Sequence, residues 1–378
     1  KMEHEQVDIL WEKDINKLIE YNLHDVMLLK EIIEIGNIVN YPLQLQQICP
    51  QDFENVFWNS RTIENLLHHR YWPKKIFFPT KIEHQKGEYE GAVVLDPVVG
   101  THQNVAVFDF ASMYTQIYIS FNFSPDTLVG KKEDVVKNYE DVKLDLNKRY
   151  HFEEKFSNLT KEEVLSRWIL IKNDFGEYYF LPQDWKLGIL PALEIEILET
   201  RKKYQELRDS FQSDSAEYKV YDDLNGTRKQ ILNSIYGVGG YKKFILFNEI
   251  IPASICTAGR NLLHWVQEKA QEKNFIAKYG DTDSFFVSFD SVLNFEDFIN
   301  RSKELEVLLN SSFKEFMLKY TNNEFVITNQ KNEIAFEKAY TKFVLMPSKV
   351  KDVGTKKKYF GYLKFYKAWL RGKKDKLL

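Results

Sequence analysis

The chain has 378 residues, 44% of them hydrophobic and 15% aromatic, which is enough material for two or three packed units. The formal net charge is −3, so charge alone indicates no nucleic-acid partner, and two widely separated cysteines exclude a disulfide scaffold and argue against a zinc site. No apolar stretch is long enough to span a membrane and the start, "KMEHEQVDIL", does not resemble a signal peptide, so we expect a soluble, intracellular protein.

The N-terminal segment is predicted to be helical before the pattern changes to strands. In the first forty residues apolar positions recur at steps of three and four, with Asp14 as a helix cap. A segment interrupted by prolines follows, with one further helix over "SRTIENLLHHRYW". From Tyr89 onward, "GAVVLDPVVG" and "NVAVFDFASMY" are short β-rich runs bounded by turn residues, which predicts strands.

The middle of the chain is predicted to alternate helices with two hairpins. Residues 131–165 are rich in charge and are expected to be helical or loose, and "RWILIKNDFGEYYFLP" after them predicts a β-hairpin. "ILPALEIEILETRKKYQELRDSFQ" and "SAEYKVYDDLNGTRKQILNSIYGVGGY" predict two long helices in an antiparallel hairpin. An apolar helix over "ICTAGRNLLHWVQEKA" then leads to "FIAKYGDTDSFFVSF", a predicted β-hairpin with two aspartates at its turn.

These aspartates, Asp281 and Asp283, and Asp109 at the end of an earlier strand are candidate metal ligands. If the strands are neighbours, three carboxylates converge, and such oxygens, with the backbone carbonyl of Phe110, suit Mg²⁺. Two such ions assist in-line phosphoryl displacement. The alternatives at this point are a solvated turn for the pair and a simple strand-end cap for Asp109.

Two basic regions are candidate phosphate-binding surfaces. On a helix Lys229, Asn233 and Tyr236 share one face and Gly237 lies just beyond, although such a stripe taken alone is usually just a polar helix face. Arg201 on the preceding helix could supply a bidentate phosphate contact. From Lys338 onward thirteen lysines and arginines stand against two aspartates, which suits a polyphosphate surface or a solvated tail.

The order of these motifs resembles family B DNA polymerases over nearly the whole chain. "DFASMYTQI" is similar to motif A, "KQILNSIYG" to motif B and "YGDTDS" to motif C. "YNLHD" resembles the third exonuclease motif and "YEGA" the loop between exonuclease and palm, whereas "TKKKYFGY" resembles the Lys-x-Tyr segment that ends the palm. The sequence departs from the family pattern at Ala92 and at Thr115-Gln116, where no ligand is removed. It also departs at Gln205, where many members have a lysine, so triphosphate binding is expected to depend more on Lys229.

The resemblance implies roles for individual residues. Asp109 and Asp283 would be the principal metal ligands, with the Phe110 carbonyl beside them and Asp281 as a supporting catalytic carboxylate, for two Mg²⁺ ions or, in their place, Mn²⁺. The nucleotide would be bound by residues of motifs A and B and of the helix before motif B, with Tyr114 as a steric gate against a 2′-hydroxyl: Ser112, Met113, Tyr114, Arg201, Lys229 and Asn233. The primer-template DNA would contact Tyr89, Gly91, Tyr236, Gly237, Lys357 and Tyr359.

The same resemblance implies an α+β right-hand fold with a ferredoxin-like palm and a helical-hairpin fingers domain. Residues 1–70 would be a remnant of the 3′–5′ exonuclease domain, with Tyr21 and Asp25 left from its third motif and no proofreading expected from this chain alone. The palm would occupy residues 71–188, with an insertion at 131–180, and residues 246–350. The fingers would occupy residues 189–245, and residues 351–378 would end the palm and begin the thumb.

Three functions therefore stay open from the sequence. The leading one is a DNA-directed DNA polymerase core that transfers a nucleotide from a dNTP to a primer 3′-hydroxyl. A polymerase-like scaffold that only binds DNA or a partner is the second. The third is half of a split or truncated enzyme that awaits an exonuclease chain, a thumb chain or a processivity factor.

Overall fold

The computed structural model describes residues 4–36, 38–85, 87–289, 294–348, 354–366 and 376–377. The chain divides into two compact units, Lys1–Ile76 and Phe77–Leu378. Among the described residues, no helix has both the length and the apolar character that crossing a membrane requires.

The first unit is helical, as the periodicity predicts. Its helices are α1 (His4–Lys13), α2 (Ile15–Ile35), α3 (Asn40–Ile48) and α4 (Asn59–Tyr71). The predicted cap is confirmed, because the Asp14 side chain accepts a hydrogen bond from the backbone N–H of Lys17 at 3.2 Å. The small core of this unit includes Leu45, Cys49 and Leu67, and the thiol of Cys49 faces the carbonyl of Thr62.

The second unit is built on an antiparallel sheet. Its strands, in chain order, are β1 (Val94–Leu95), β2 (Gly100–Phe110), β3 (Leu128–Lys131), β4 (Ile169–Asn173), β5 (Gly176–Phe180), β6 (Phe275–Asp281), β7 (Ser284–Phe289), β8 (Ile334–Pro347), β9 (Gly354–Tyr366) and β10 (Lys376–Leu377). Seven of them form one sheet in the order β1-β6-β7-β2-β8-β9-β10, and the other three form a small sheet in the order β3-β5-β4. The strand expected over "GAVVLDPVVG" is only two residues long, because Pro97 cannot donate a ladder hydrogen bond.

Helices surround these sheets. They are α5 (Met113–Ser120), α6 (Lys132–Lys137), α7 (Tyr139–Tyr150), α8 (Glu153–Ser157), α9 (Lys161–Arg167), α10 (Ile189–Asp209), α11 (Ala216–Gly239), α12 (Ile250–Gln271), α13 (Phe295–Leu318) and α14 (Glu324–Asn329). The charge-rich insert is thus helical, and it has a core of its own around Trp168 and Trp185. The predicted α10–α11 hairpin and β6–β7 hairpin are both confirmed.

The main core lies against the large sheet. Alternate residues of β2, β7 and β8 face one apolar cluster that includes Val107, Phe286 and Phe343. Basic residues of the C-terminal segment lie on β8 and β9, so a frayed tail is the wrong alternative for the described residues 338–348 and 354–366. The remainder of that segment, apart from β10, lies outside the described residues.

Candidate active site

Strand β2 delivers Asp109 beside the acidic hairpin. In the antiparallel β2–β7 ladder Asp109 is opposite Ser284, and the Ser284 hydroxyl donates a 2.7 Å hydrogen bond to Asp109 Oδ1. One residue further, the backbone N–H of Phe110 donates to the Asp283 carbonyl at 2.9 Å. The expectation that Asp109 lies on a strand beside the acidic pair is therefore confirmed.

Asp283 occupies the two-residue turn between β6 and β7. Thr282 adopts the left-handed conformation with φ of 58°, and the N–H of Asp283 donates to the Asp281 carbonyl at 2.6 Å. This turn separates the two aspartates of the pair, so they do not continue one extended strand. Burial, followed by repulsion from Asp109, raises the pKa of Asp283 to about 6.

The electrostatics of Asp109 are similar. Burial raises the pKa of Asp109, and Glu337 acts in the same direction, whereas the hydrogen bond from Ser284 and the charges of Lys338 and Lys229 act against the rise. Asp109 and Asp283 are thus half-buried carboxylates that repel each other. A cation bound to both carboxylates would offset their mutual repulsion, so this pair is suited to binding a cation.

Asp281 has a different environment. Its carboxylate lies 3.4 Å from the ammonium of Lys357 and accepts a 3.2 Å hydrogen bond from the Tyr279 hydroxyl. Within the described ranges, no three acidic, histidine or cysteine side chains form a group that could hold a metal ion. The structure therefore brings together two of the three predicted carboxylates and pairs the third with a lysine.

The donor set still fits a divalent cation. Asp109 and Asp283 offer carboxylate oxygens, which are the ligands that Mg²⁺ and Mn²⁺ prefer, and Mg²⁺ usually takes one or two protein carboxylates with water and phosphate. Burial raises the pKa of each carboxyl, so a cation bound between them would stabilise their ionised forms. The role of the Phe110 carbonyl as a ligand stays a prediction.

A cavity of about 230 Å³ opens beside Asp283. Its lining comes from the turn after β2, the start of α5, the face of α11 and the acidic hairpin: Ser112, Met113, Tyr114, Thr115, Leu232, Asn233, Tyr236, Thr282 and Asp283. Ser112 has a φ of 57° and is the residue before α5, and the next two residues, Met113 and Tyr114, both line the cavity. Six residues predicted from the sequence therefore lie around one cavity.

Two tyrosines form the aromatic wall of this cavity. The rings of Tyr114 and Tyr236 are stacked, with centroids 4.2 Å apart and planes inclined by 15°. The hydroxyl of Tyr236 lies 2.8 Å from Sγ of Cys256, which is buried on α12. Burial raises the pKa of both tyrosines, so their hydroxyls stay neutral.

The predicted basic residues occupy different positions. Lys229 and Asn233 are exposed on one face of α11, and Gly237 is exposed within the same helix with open space where a Cβ would lie. The charge of Lys229 acts on Asp109. Arg201 instead spans the helical hairpin, since its Nε donates to Asn225 Oδ1 at 3.1 Å, and it does not line the cavity.

The loop predicted to contact the template, which contains Tyr89 and Gly91, is hydrogen-bonded to α12. Tyr89 lies with its ring centroid 6.4 Å from that of Phe175. The carbonyl of Gly91 accepts a 2.8 Å hydrogen bond from Arg260, which also donates to the Glu90 carbonyl and lies 3.5 Å from Asp174. Arg260 is thus a residue that fixes this loop and that the sequence pattern did not single out.

The Lys-x-Tyr pair lies on β9. Lys357 has a φ of 63°, and its backbone N–H donates to the Tyr279 hydroxyl at 2.9 Å. Tyr359 packs against Phe343 and Phe286, with ring centroids 5.1 and 5.2 Å away. Lys357 and Tyr359 therefore both contact the β6–β7 hairpin that carries the acidic turn.

Tyr21 and Asp25 belong to the first unit. They are one turn apart on α2, with Tyr21 half-buried and Asp25 exposed. A tyrosine and one carboxylate do not amount to a metal site, and their exonuclease role stays a prediction.

Sequence reasoning missed two residues near the site besides Arg260. Cys256 is a buried thiol, and its contact with Tyr236 depends on the packing of two helices. Glu194 is 1% exposed on α10, and burial raises its pKa to about 8, although the Thr115 hydroxyl acts in the opposite direction. The sequence does indicate that Glu194 is buried, because it lies on the apolar face of its helix, between Leu190 and Ile197.

An acidic strand end, an acidic turn and a polar helix face around one cavity define a candidate enzyme site on a mixed α/β fold. The family model described as DNA polymerase family B matches residues 56–367. The chain belongs to this family.

Individual relatives agree with that assignment. The chain is 25% identical to DNA polymerase 1 of Aeropyrum pernix over 363 residues, which is 90% of this chain and 34% of that protein. It is 26% identical to the DNA polymerase delta catalytic subunit of Drosophila melanogaster, covering 80% of this chain and 27% of that protein. The chain spans about a third of the length of the curated relatives it matches.

A solved structure shares the fold. The family B DNA polymerase from the hyperthermophilic archaeon Pyrobaculum calidifontis superposes with a TM-score of 0.58 at 22% identity, over 93% of this chain and 38% of that one. The mixed helix and sheet architecture, with its antiparallel sheet, is therefore that of a family B polymerase structure.

Proposed function

We propose that this chain is a DNA-directed DNA polymerase core that joins a dNTP to a primer 3′-hydroxyl with release of pyrophosphate. The observation that carries the proposal is the juxtaposition of Asp109, at the end of β2, with Asp283, in the turn that precedes the neighbouring strand β7. Asp283, Tyr114 and Asn233 line one cavity. Membership of the polymerase family supports the same reaction.

The carboxylates of Asp109 and Asp283 would hold two Mg²⁺ ions, or Mn²⁺ in their place, with the Phe110 carbonyl beside them. Bound divalent cations supply charge neutralisation at the reacting phosphate and lower the pKa of the attacking oxygen. The protein's own contribution is positional: Ser284 orients Asp109, and the hydrogen bond from Phe110 holds the turn that carries Asp283. Asp281 supports this turn and is not assigned as a direct ligand.

The cavity is proposed to bind the nucleotide. Ser112, Met113 and Tyr114 would contact its sugar and phosphates, and the Tyr114 ring, held by Tyr236, would occupy the space of a 2′-hydroxyl. Lys229 and Asn233 on α11 would contact the triphosphate. Arg201 would join them only after it releases Asn225, so Lys229 is the main cation in this proposal.

Primer-template DNA is proposed to contact two surfaces. One comprises Tyr89 and Gly91 in the loop fixed by Arg260, together with Tyr236 and Gly237 at the end of α11. The other comprises Lys357 and Tyr359 on β9, where a run of lysines is followed by exposed aromatic rings.

The domain assignment is part of the proposal. The large sheet and α5 would form the palm and α10 and α11 the fingers. Residues 131–180, which comprise α6 to α9 and the β4–β5 hairpin, would be the insertion into the palm. Residues 1–70 would correspond to exonuclease and residues 351–378 to the palm end and thumb start. The chain spans about a third of its relatives' length. We propose that it does not proofread alone, that an exonuclease chain, a thumb chain or a processivity factor completes it, and that it is soluble and intracellular.

Primer extension tests the proposed function. The purified chain is incubated with a labelled primer-template, Mg²⁺ and one dNTP at a time, and we expect extension only by the nucleotide complementary to the template base. Asp283→Ala should abolish it. DNA binding by the wild type without any extension would overturn the polymerase proposal in favour of a DNA-binding or partner-binding piece.

A further inference from the structure

Helix α12 carries the thiol of Cys256, which contacts Tyr236 in the aromatic wall of the cavity. Cys256 is 1% exposed, and its Sγ lies 2.8 Å from the hydroxyl of Tyr236, with either atom able to donate. Among the residues that the structure describes, the Tyr236 hydroxyl has no other hydrogen-bonding partner. Tyr236 is half-buried, and a phenol that loses its partner on the buried side carries a desolvation cost, so the thiol restricts where the hydroxyl end of this ring lies.

The position of Tyr236 is transmitted directly to Tyr114. Their rings are stacked at 4.2 Å and nearly parallel, and both line the cavity. Stacking alone constrains the separation of two rings more than their lateral offset. The hydrogen bond to Cys256 removes that freedom, because it holds one ring at a point on its edge.

The same helix meets Tyr114 one turn later. A Cβ added at Gly259 would lie 3.2 Å from Cε of Met113 and 3.8 Å from Cε1 of Tyr114. The absence of a side chain at Gly259 therefore lets the start of α5 approach α12 closely. Both rings of the wall are thus positioned by one face of α12, Tyr236 through Cys256 and Tyr114 through the approach at Gly259.

We propose that Cys256 is a positioning residue for sugar selection: through Tyr236 it holds Tyr114 where a ribonucleotide's 2′-hydroxyl would clash. Cys256 touches neither nucleotide nor metal in this arrangement and acts only through the tyrosine. The inference rests on the proposed function, since it assigns a cause to the selectivity of that site.

The test is a double-mutant cycle on sugar selectivity. The ratio of kcat/KM for a dNTP to that for the matching rNTP is measured for wild type, Cys256→Ala, Tyr236→Phe and the double variant. Loss of one neutral hydrogen bond should lower this ratio by roughly fivefold in either single variant. The double variant should lose no more than either single one, because both remove the same bond.

Conservative rescue separates this role from packing. Cys256→Ser keeps a hydrogen-bonding group and should keep the ratio within roughly twofold of wild type. The matched control is Cys49→Ala, which truncates the other buried thiol, in the first unit, and should leave selectivity unchanged. If Cys256→Ala does not fold, Tyr236→Phe and Cys256→Ser carry the test, because they alter the same bond without leaving a cavity.

Three results would overturn the inference. They are unchanged selectivity in Cys256→Ala and Tyr236→Phe, additive losses in the double variant, and a Cys256→Ser ratio as low as that of Cys256→Ala. Equilibrium binding of dATP and ATP, measured by calorimetry on the same variants, gives a readout that needs no turnover. A wild type that binds neither nucleotide overturns this inference and the proposed function together, whereas normal extension with unchanged selectivity overturns this inference alone.

Discussion

The ammonium of Lys357 lies 3.4 Å from the carboxylate of Asp281, and this contact joins the basic strand β9 to the acidic hairpin. The Tyr279 hydroxyl also links the two elements, since it accepts a hydrogen bond from the Lys357 backbone N–H and donates one to the Asp281 carboxylate. Lys357 is 69% exposed and Asp281 19%, so the lysine charge stays accessible to a phosphate. One residue thus serves both the acidic hairpin and the proposed DNA surface.

Replacing Lys357 by alanine should weaken DNA binding with little loss of folding stability. One phosphate contact fewer should reduce the slope of log affinity against log salt by about 1. Fluorescence anisotropy with labelled primer-template at several salt concentrations measures this slope. Lys161→Ala, which removes a lysine from α9 in the insert, is the control, and an equal effect in both variants would contradict a specific role for Lys357.

Replacing Tyr114 by valine should relax discrimination against ribonucleotides. The ring that fills part of the cavity is removed, so a 2′-hydroxyl finds space, and removing such a steric clash is worth at least about tenfold in selectivity. Competing dNTP and rNTP incorporation into one primer measures the ratio. Tyr221→Val is the matched control, because Tyr221 stacks on Phe211 at the loop end of the α10–α11 hairpin. Unchanged ribonucleotide incorporation by Tyr114→Val would remove the gate role.

Replacing Glu194 by glutamine should alter how stability depends on pH. The folded pKa of Glu194, about 8, lies above its ordinary value, so the folded state binds a proton more tightly. Wild-type stability should therefore fall as pH rises from about 4.5 to about 8, by on the order of 4 kcal/mol from this group. Denaturant unfolding at pH 5 and pH 9 should show the fall in wild type and in the exposed-residue control Glu199→Gln. A fall of the same size in Glu194→Gln would contradict the assignment.

Replacing Asp283 by asparagine should stabilise the metal-free protein. Burial and Asp109 raise the pKa of Asp283 to about 6 in the folded state. At neutral pH the ionised side chain therefore destabilises the folded state relative to the unfolded state. With a discount for solvent screening, the gain at neutral pH is about 1 kcal/mol, and it should vanish below about pH 4. Thermal unfolding in EDTA measures it. Asp281→Asn, which breaks the contact with Lys357, should give no such gain.

Local patterns predicted the elements of the site well. The β6–β7 hairpin, the α10–α11 hairpin and the strand that ends at Asp109 each have a periodicity and a turn signal within a few residues. The neighbourhood of Asp109 and Asp283 was expected only if their strands were neighbours, and the β2–β7 pairing meets that condition.

Contacts between distant segments were not predictable in this way. The pairing of Asp281 with Lys357 depends on where β9 lies behind the hairpin, and 76 residues separate the two. The Tyr236–Cys256 contact depends on how α11 packs against α12, and Arg201 is drawn to Asn225 by the geometry of its own hairpin. No local pattern encodes these distances.

The central claim is that Asp109 and Asp283 together form the metal-dependent catalytic centre. Single-nucleotide incorporation with Mg²⁺, compared between wild type and the Asp109→Asn, Asp283→Asn and Asp281→Asn variants, tests it most directly. We predict a loss of at least about a thousandfold for the first two variants and no more than about tenfold for Asp281→Asn. Incorporation by Asp283→Asn at the wild-type rate would contradict the account.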